Sequence, residues 1–134
     1  MSVKRKGSAK ERELANYFWE RGCAVLRGCS SGGGVRKRYV PDIVAICRGV
    51  VLVFEVKYRS KASPIRLEPE KLEKLVEFAR RAGGRPLLLV KYGRDPWRVL
   101  EAREKVDREE YEKSVELRAF LESLFSARLE EYFR

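Results

Sequence analysis

The sequence predicts a single α/β domain with a mixed central β-sheet flanked by helices. Three observations predict it. Residues 40–57 read V-P-D-I-V-A-I-C-R-G-V-V-L-V-F-E-V-K, two apolar β-branched runs split by Arg48-Gly49, the pattern of a buried hairpin. Amphipathic stretches with helix start and stop signals lie on both sides of it. The resulting order, α-β-β-β-α-β-β-α, suits a mixed sheet with helices on its faces.

In chain order, residues 1–7 contain Lys4-Arg5-Lys6 and Gly7 and read as a mobile basic arm. Ser8 and Glu11 have capping-box spacing and would start the first helix. Leu14, Ala15, Phe18 and Trp19 give it an apolar side, and Gly22 stops it. Residues 23–26 form a short strand. Residues 28–38 form a loop with three glycines and then Arg36-Lys37-Arg38. The hairpin occupies about residues 39–58, and residues 59–67 are a polar connection. Glu68-Pro69 opens a second helix, with Leu72, Leu75, Val76 and Ala79 on one face and Gly83-Gly84 as its stop. Residues 87–91 are a buried strand, and Gly93-Arg94-Asp95-Pro96 turns the chain into a shorter strand at 97–100. Asp107 and Glu110 have the spacing to cap a further helix. Leu117, Phe120, Leu121, Leu124 and Phe125 continue an amphipathic pattern towards Tyr132. The core is expected over residues 8–100, with a helical C-terminal part over 101–134.

The 134 residues suffice for one domain with a real core, and hydrophobic content of 44% excludes a disordered chain. No apolar run is long enough to span a membrane, so a soluble cytoplasmic protein is expected. The net charge of +10 is uneven. Residues 1–66 carry 15 Lys/Arg against 5 Asp/Glu, whereas residues 67–134 carry 15 against 15. The half with the hairpin therefore holds the whole excess, which suits a polyanionic partner such as nucleic acid. There is no histidine, which excludes Ser-His-Asp and Cys-His chemistry and argues against a zinc site. Cys23 and Cys47 fit strand interiors as small core residues. Abundant Glu, Lys and Arg, no Gln and a single Asn (Asn16) suit a hyperthermophilic source.

The hairpin also carries the candidate chemistry. With Arg48-Gly49 as a two-residue turn, Cys47 pairs with Val50 and Asp42 stands opposite Glu55. Opposed residues share a face, and Lys57 follows on that face two residues later. Two carboxylates and an ammonium then meet beside an apolar core. Close carboxylates resist joint ionisation unless a cation lies between them, and hard oxygen ligands suit Mg²⁺.

The arrangement P-D, hairpin, E-V-K resembles the PD-(D/E)xK nuclease superfamily, which has a restriction-endonuclease-like core. R-K-G-S-A-K-E-R-E-L (residues 5–14), C-A-V-L-R-G-C-S-S-G, P-D-I-V-A, E-V-K and E-F-A-R-R-A-G-G follow in the order of the archaeal Holliday-junction resolvases, which the chain resembles over about residues 4–92. The resemblance implies that Glu11, Asp42, Glu55 and the carbonyl of Val56 hold one or two Mg²⁺ ions, with Mn²⁺ able to substitute. It implies that Lys57 orients water or stabilises charge on the phosphate, and that Ser31, or its neighbour Ser30, is the active-site loop serine. Arg12 would contact phosphate. Lys4, Arg5, Lys6, Arg36, Lys37, Arg38, Arg59 and Lys61 extend the DNA-binding set. The expected function is Mg²⁺-dependent cleavage of four-way DNA junctions by a homodimer, with the second helix and the strand near Trp97 as interface or intrachain core. Rival readings are a PD-(D/E)xK nuclease of other specificity, for restriction or repair, and a catalytically silent nucleic-acid-binding module.

Overall fold

A computed structural model describes residues 3–28, 38–61 and 63–132, with side chains over 9–28, 38–61 and 63–126. Its elements, in order, are α1 (Val3–Glu20), β1 (Ala24–Arg27), β2 (Ile43–Cys47), β3 (Val50–Arg59), β4 (Ile65–Arg66), α2 (Pro69–Ala82), β5 (Arg85–Tyr92), β6 (Arg98–Glu101), β7 (Lys105–Val106), α3 (Arg108–Lys113), β8 (Val115–Glu116) and α4 (Leu117–Tyr132). The main sheet runs β1-β2-β3-β5-β6-β8, and β4 pairs with β7 in a separate two-stranded sheet. β3 and β5 are parallel, with α2 as the crossover, and the other neighbours in the main sheet are antiparallel. The expected mixed sheet with flanking helices is what the chain forms.

The hairpin has the register that a two-residue turn dictates. Cys47 pairs with Val50 and Ile43 with Phe54. Arg48 and Gly49 both have positive φ, 52° and 87°, as the type I′ hairpin turn requires. Alternation along β3 then divides the core in two. Leu52 and Phe54 face α1 and α4, where Leu14, Phe18, Leu89 and Leu121 are buried with them. Val53 faces α2, with Leu75, Ala79, Leu88 and Tyr92. Each fully buried side chain of this size contributes about 1.5–3 kcal/mol before the entropy cost of ordering it.

β3 has twice as many residues as β2, and the difference positions the site. Pairing of β2 with β3 stops at Ile43–Phe54, while β3 stays paired with β5 out to Arg59. Pro41 lacks an N–H and cannot extend the β2 ladder. The β2-side edge of β3 is therefore open from Glu55 onward.

Several sequence expectations are corrected. α1 begins at Val3, so Lys4, Arg5 and Lys6 lie in a helix rather than in an arm, and Ser8 is no N-cap. Lys, Arg and Ala around Gly7 favour helix enough to carry the roughly 1 kcal/mol that an internal glycine costs. Cys23 precedes β1, and it forms a disulfide with Cys47 rather than staying a free core thiol. The connection at 59–67 contains β4, whose Ile65 is buried, and Val115–Glu116 forms the edge strand β8. α2 has the expected proline at its start and Gly83 in the left-handed conformation at its end. α3 has the expected capping box, with Asp107 accepting from the Glu110 N–H at 2.8 Å. No helix among the described residues is long and apolar enough to cross a membrane.

Candidate active site

Asp42 sits one residue before β2, at the open edge of β3. Its carboxylate oxygen Oδ2 accepts the Val56 N–H at 2.8 Å, in place of the ladder partner that β2 no longer supplies. The N–H and C=O of one strand residue project to the same edge, so the Val56 carbonyl also faces the mouth of the site. Gly28 fixes the other flank of Asp42. Its N–H donates to the Asp42 carbonyl at 2.9 Å. A Cβ at position 28 would lie 2.2 Å from the Pro41 carbonyl oxygen, so only glycine allows β1 to end this close.

Glu55 is the one buried charged residue among those described, at 1% exposure. Both of its oxygens are occupied. Oε1 accepts a short hydrogen bond from the Tyr39 hydroxyl, and Oε2 pairs with the Lys71 ammonium at 3.3 Å. Burial raises the Glu55 pKa and the Asp42 charge raises it further, while Tyr39 and Lys71 pull it back. Burial, and then the Glu55 hydrogen bond, push the Tyr39 hydroxyl above its ordinary value.

Glu11 reaches the same cluster from α1. Its pKa rises from 4.5 to about 7, first through burial and then through the charge of Asp42, with Arg27 opposing and Glu55 adding to the rise. The helix start at Val3 places Glu11 in the helix interior, which removes its capping role. Next to it, Lys10 lies over the Tyr58 ring at 4.3 Å, which seats this part of α1 over the far end of β3. Lys57 is half-buried on the Glu55 face of β3. Burial lowers its pKa, and the charge of Lys71 lowers it further.

The structure thus brings together Glu11, Asp42, Glu55, Val56 and Lys57. Arg12 and Arg38 are exposed, as is Lys61, and Arg59 is half-buried. Ser30, Ser31, Arg36 and Lys37 lie outside the described residues. Lys4, Arg5 and Lys6 are placed on α1 by their backbone alone. Trp97 packs against the core beneath α1 and α4, and Lys91 lies over its ring at 5.9 Å, which favours the intrachain reading of that strand.

Burial and the charge of Asp42 raise the pKa of both Glu11 and Glu55 at this spot, which is the signature of an anionic cluster with too little positive charge inside it. The donor set is all oxygen and suits a hard divalent cation. Among the described residues, no three acids are already drawn in to ligand distance of a common point. The cluster fits such a cation by the chemistry of its donors, all of them hard oxygens.

Tyr39 and Lys71 fall outside the sequence motif. Lys71 had a readable signal. It precedes Leu75 by four residues and Ala79 by eight, so it continues the buried stripe of α2. A lysine on that stripe must face the sheet, and Glu55 is the acid there. Tyr39 precedes the strand and had no periodic signal.

A six-stranded mixed sheet with this hairpin, and acids and a lysine at its open edge, defines the restriction-endonuclease-like class. Comparison with known proteins narrows it. The profile of the archaeal Holliday junction resolvase (Hjc) family matches residues 2–129. The crossover junction endodeoxyribonuclease Hjc of Sulfolobus acidocaldarius is 39% identical over 95 residues, 71% of this chain and 66% of that protein. Its namesake from Archaeoglobus fulgidus is 34% identical over 137 residues, 96% of this chain and 98% of that protein. The solved structure of the A. fulgidus Hjc, a Holliday junction resolvase, superposes with a TM-score of 0.71 at 32% identity, over 81% of this chain and 93% of that one. The chain belongs to the archaeal Holliday junction resolvase family. The matches to the S. acidocaldarius protein and to the one from Sulfurisphaera tokodaii span just under two thirds of those relatives, 66% and 62%.

Proposed function

We propose that this protein is a divalent-metal-dependent, structure-selective endodeoxyribonuclease that resolves four-way DNA junctions by paired phosphodiester hydrolysis. One observation carries the reading. A buried glutamate, an aspartate and a helix-borne glutamate with its pKa near 7 converge at the open edge of a restriction-endonuclease-like hairpin, in a chain of the resolvase family.

Glu11, Asp42, Glu55 and the Val56 carbonyl would hold the cation, Mg²⁺ in this reading, with Mn²⁺ as a substitute. When bound, such ions supply charge neutralisation on the phosphoryl oxygens and activation of water. The chain's own residues do the rest. The Val56 N–H holds Asp42 in place through Oδ2. Tyr39 holds Glu55. Lys57 presents a donor on the same face as the acids, where it stabilises charge developing on the scissile phosphate. Arg12, Arg38, Arg59 and Lys61, with the basic residues of 28–38 and the first turns of α1, supply the positive surface for the DNA backbone. Residues 1–134 act as one nuclease unit in this reading. A four-way junction has two-fold symmetry, which calls for two matched cuts and a homodimer. The test is incubation with a synthetic four-way junction and a linear duplex, each with Mg²⁺ and with EDTA. Symmetric nicking of the junction in Mg²⁺ alone is expected. Equal cleavage of both substrates would favour a nuclease of other specificity.

A further inference from the structure

Lys71 lies in the first turn of α2, where a cation works against the helix dipole. Its position needs a reason, and Glu55 supplies one. The ion pair at 3.3 Å joins a carboxylate side chain that is 2% exposed to an ammonium-bearing side chain that is 44% exposed. The lysine can therefore leave towards solvent, and the glutamate cannot. Lys57 forms no ion pair with Glu55 among the described residues, although both point to one face of β3. The two lysines thus divide their tasks. Lys71 neutralises the buried acid, and Lys57 stays available to the substrate.

We infer that Lys71 is a built-in counter-ion of the acid cluster, which occupies Glu55 in the metal-free protein and is displaced when a divalent cation binds. This rests on the proposed metal site at Glu11, Asp42 and Glu55. Lys71 is a positioning residue. It holds one oxygen of the Glu55 carboxylate while Tyr39 holds the other, so the ligand is aimed when the ion arrives. Readiness has a consequence for affinity. The ion must displace a fixed positive charge, so the protein binds it more weakly than the same acids would without Lys71.

Calorimetric titration of the whole protein with Mn²⁺, without DNA, at about pH 8 reads this directly. Lys71→Met removes the competitor and should tighten Mn²⁺ binding by roughly tenfold, the scale of removing one unit charge a few ångströms from the ion. Lys71→Gln, which keeps a polar group at that position without the charge, should tighten it in the same direction and serves if the methionine variant does not fold. Lys71→Arg keeps the charge and should bind Mn²⁺ as the wild type does. Asp42→Asn should abolish binding. Loss of binding in Asp42→Asn together with unchanged or weaker binding in both neutral Lys71 variants overturns the role of Lys71 and leaves the site intact. Undiminished binding in Asp42→Asn overturns the site and this inference with it.

Discussion

Glu11 and Glu55 are acids under strain of charge, and that makes pH a probe of the site. Glu11 is pushed up from 4.5 to about 7 by burial and by Asp42. A raised acid binds its proton more tightly in the folded state. Its contribution to stability is thus full below about pH 4.5 and is lost as pH rises through about 7. Without metal, Glu11→Gln should gain melting temperature relative to wild type between about pH 5 and pH 8. With saturating Mn²⁺ the order should reverse, because the ion favours the carboxylate. Thermal melts of the two proteins, with and without metal, check both halves. The same variant should lose most cleavage, about a hundredfold or more. A variant that remains active would return Glu11 to a structural role. At this scale the site was largely legible in the sequence. The two-residue turn fixes the register, and that register brings Asp42 to the edge of β3, where the ladder has ended and Asp42 accepts the Val56 N–H instead of pairing with Glu55. Lys71 was missed although the α2 stripe carried a signal for it, whereas Tyr39, outside any repeating pattern, carried none.

At the scale of elements, the end of β1 and the start of β2 act as one unit around Asp42. Gly28→Ala would drive a Cβ into the Pro41 carbonyl, and backbone rather than a flexible side chain would have to move. Loss of roughly 1–3 kcal/mol is expected, together with a loss of cleavage larger than the fall in stability explains. Urea unfolding and a cleavage assay on folded protein separate the two. The Cys23–Cys47 disulfide closes a segment with a sequence separation of 24 that includes Gly28 and Asp42. Replacing both cysteines by alanine should cost roughly 3 kcal/mol in urea unfolding, and wild type in reductant should fall to the same value. Thick, periodic elements were readable from sequence, including α2, β3 and β5. β4, β7 and β8 were not, because a two-residue strand has no period and exists only through its partner. The start of α1 was misread because Gly7-Ser8 imitates a helix boundary, while the flanking Lys, Arg and Ala favour continuation.

At the scale of the whole molecule, charge and site lie together. The excess of positive charge in residues 1–66 should make DNA binding steeply salt-dependent. Neutralising Arg36, Lys37 and Arg38 together should flatten the slope of log affinity against log salt by up to about three phosphate contacts. An unchanged slope would mean that these residues face away from the DNA. Family membership was legible because the motif segments keep their order through the first two thirds of the chain. The C-terminal third carries no chemistry in its pattern and was readable only as helix. The central claim is that Asp42 and Glu55 serve the cleavage of branched DNA through a bound cation, and one comparison tests it most directly. Wild type, Asp42→Asn and Glu55→Gln are each assayed for binding and for cleavage of a four-way junction in Mg²⁺. The account predicts that both variants bind the junction at least as well as wild type, since removing a carboxylate removes repulsion, and that neither cleaves it. Cleavage by either variant at a rate near that of wild type would contradict it.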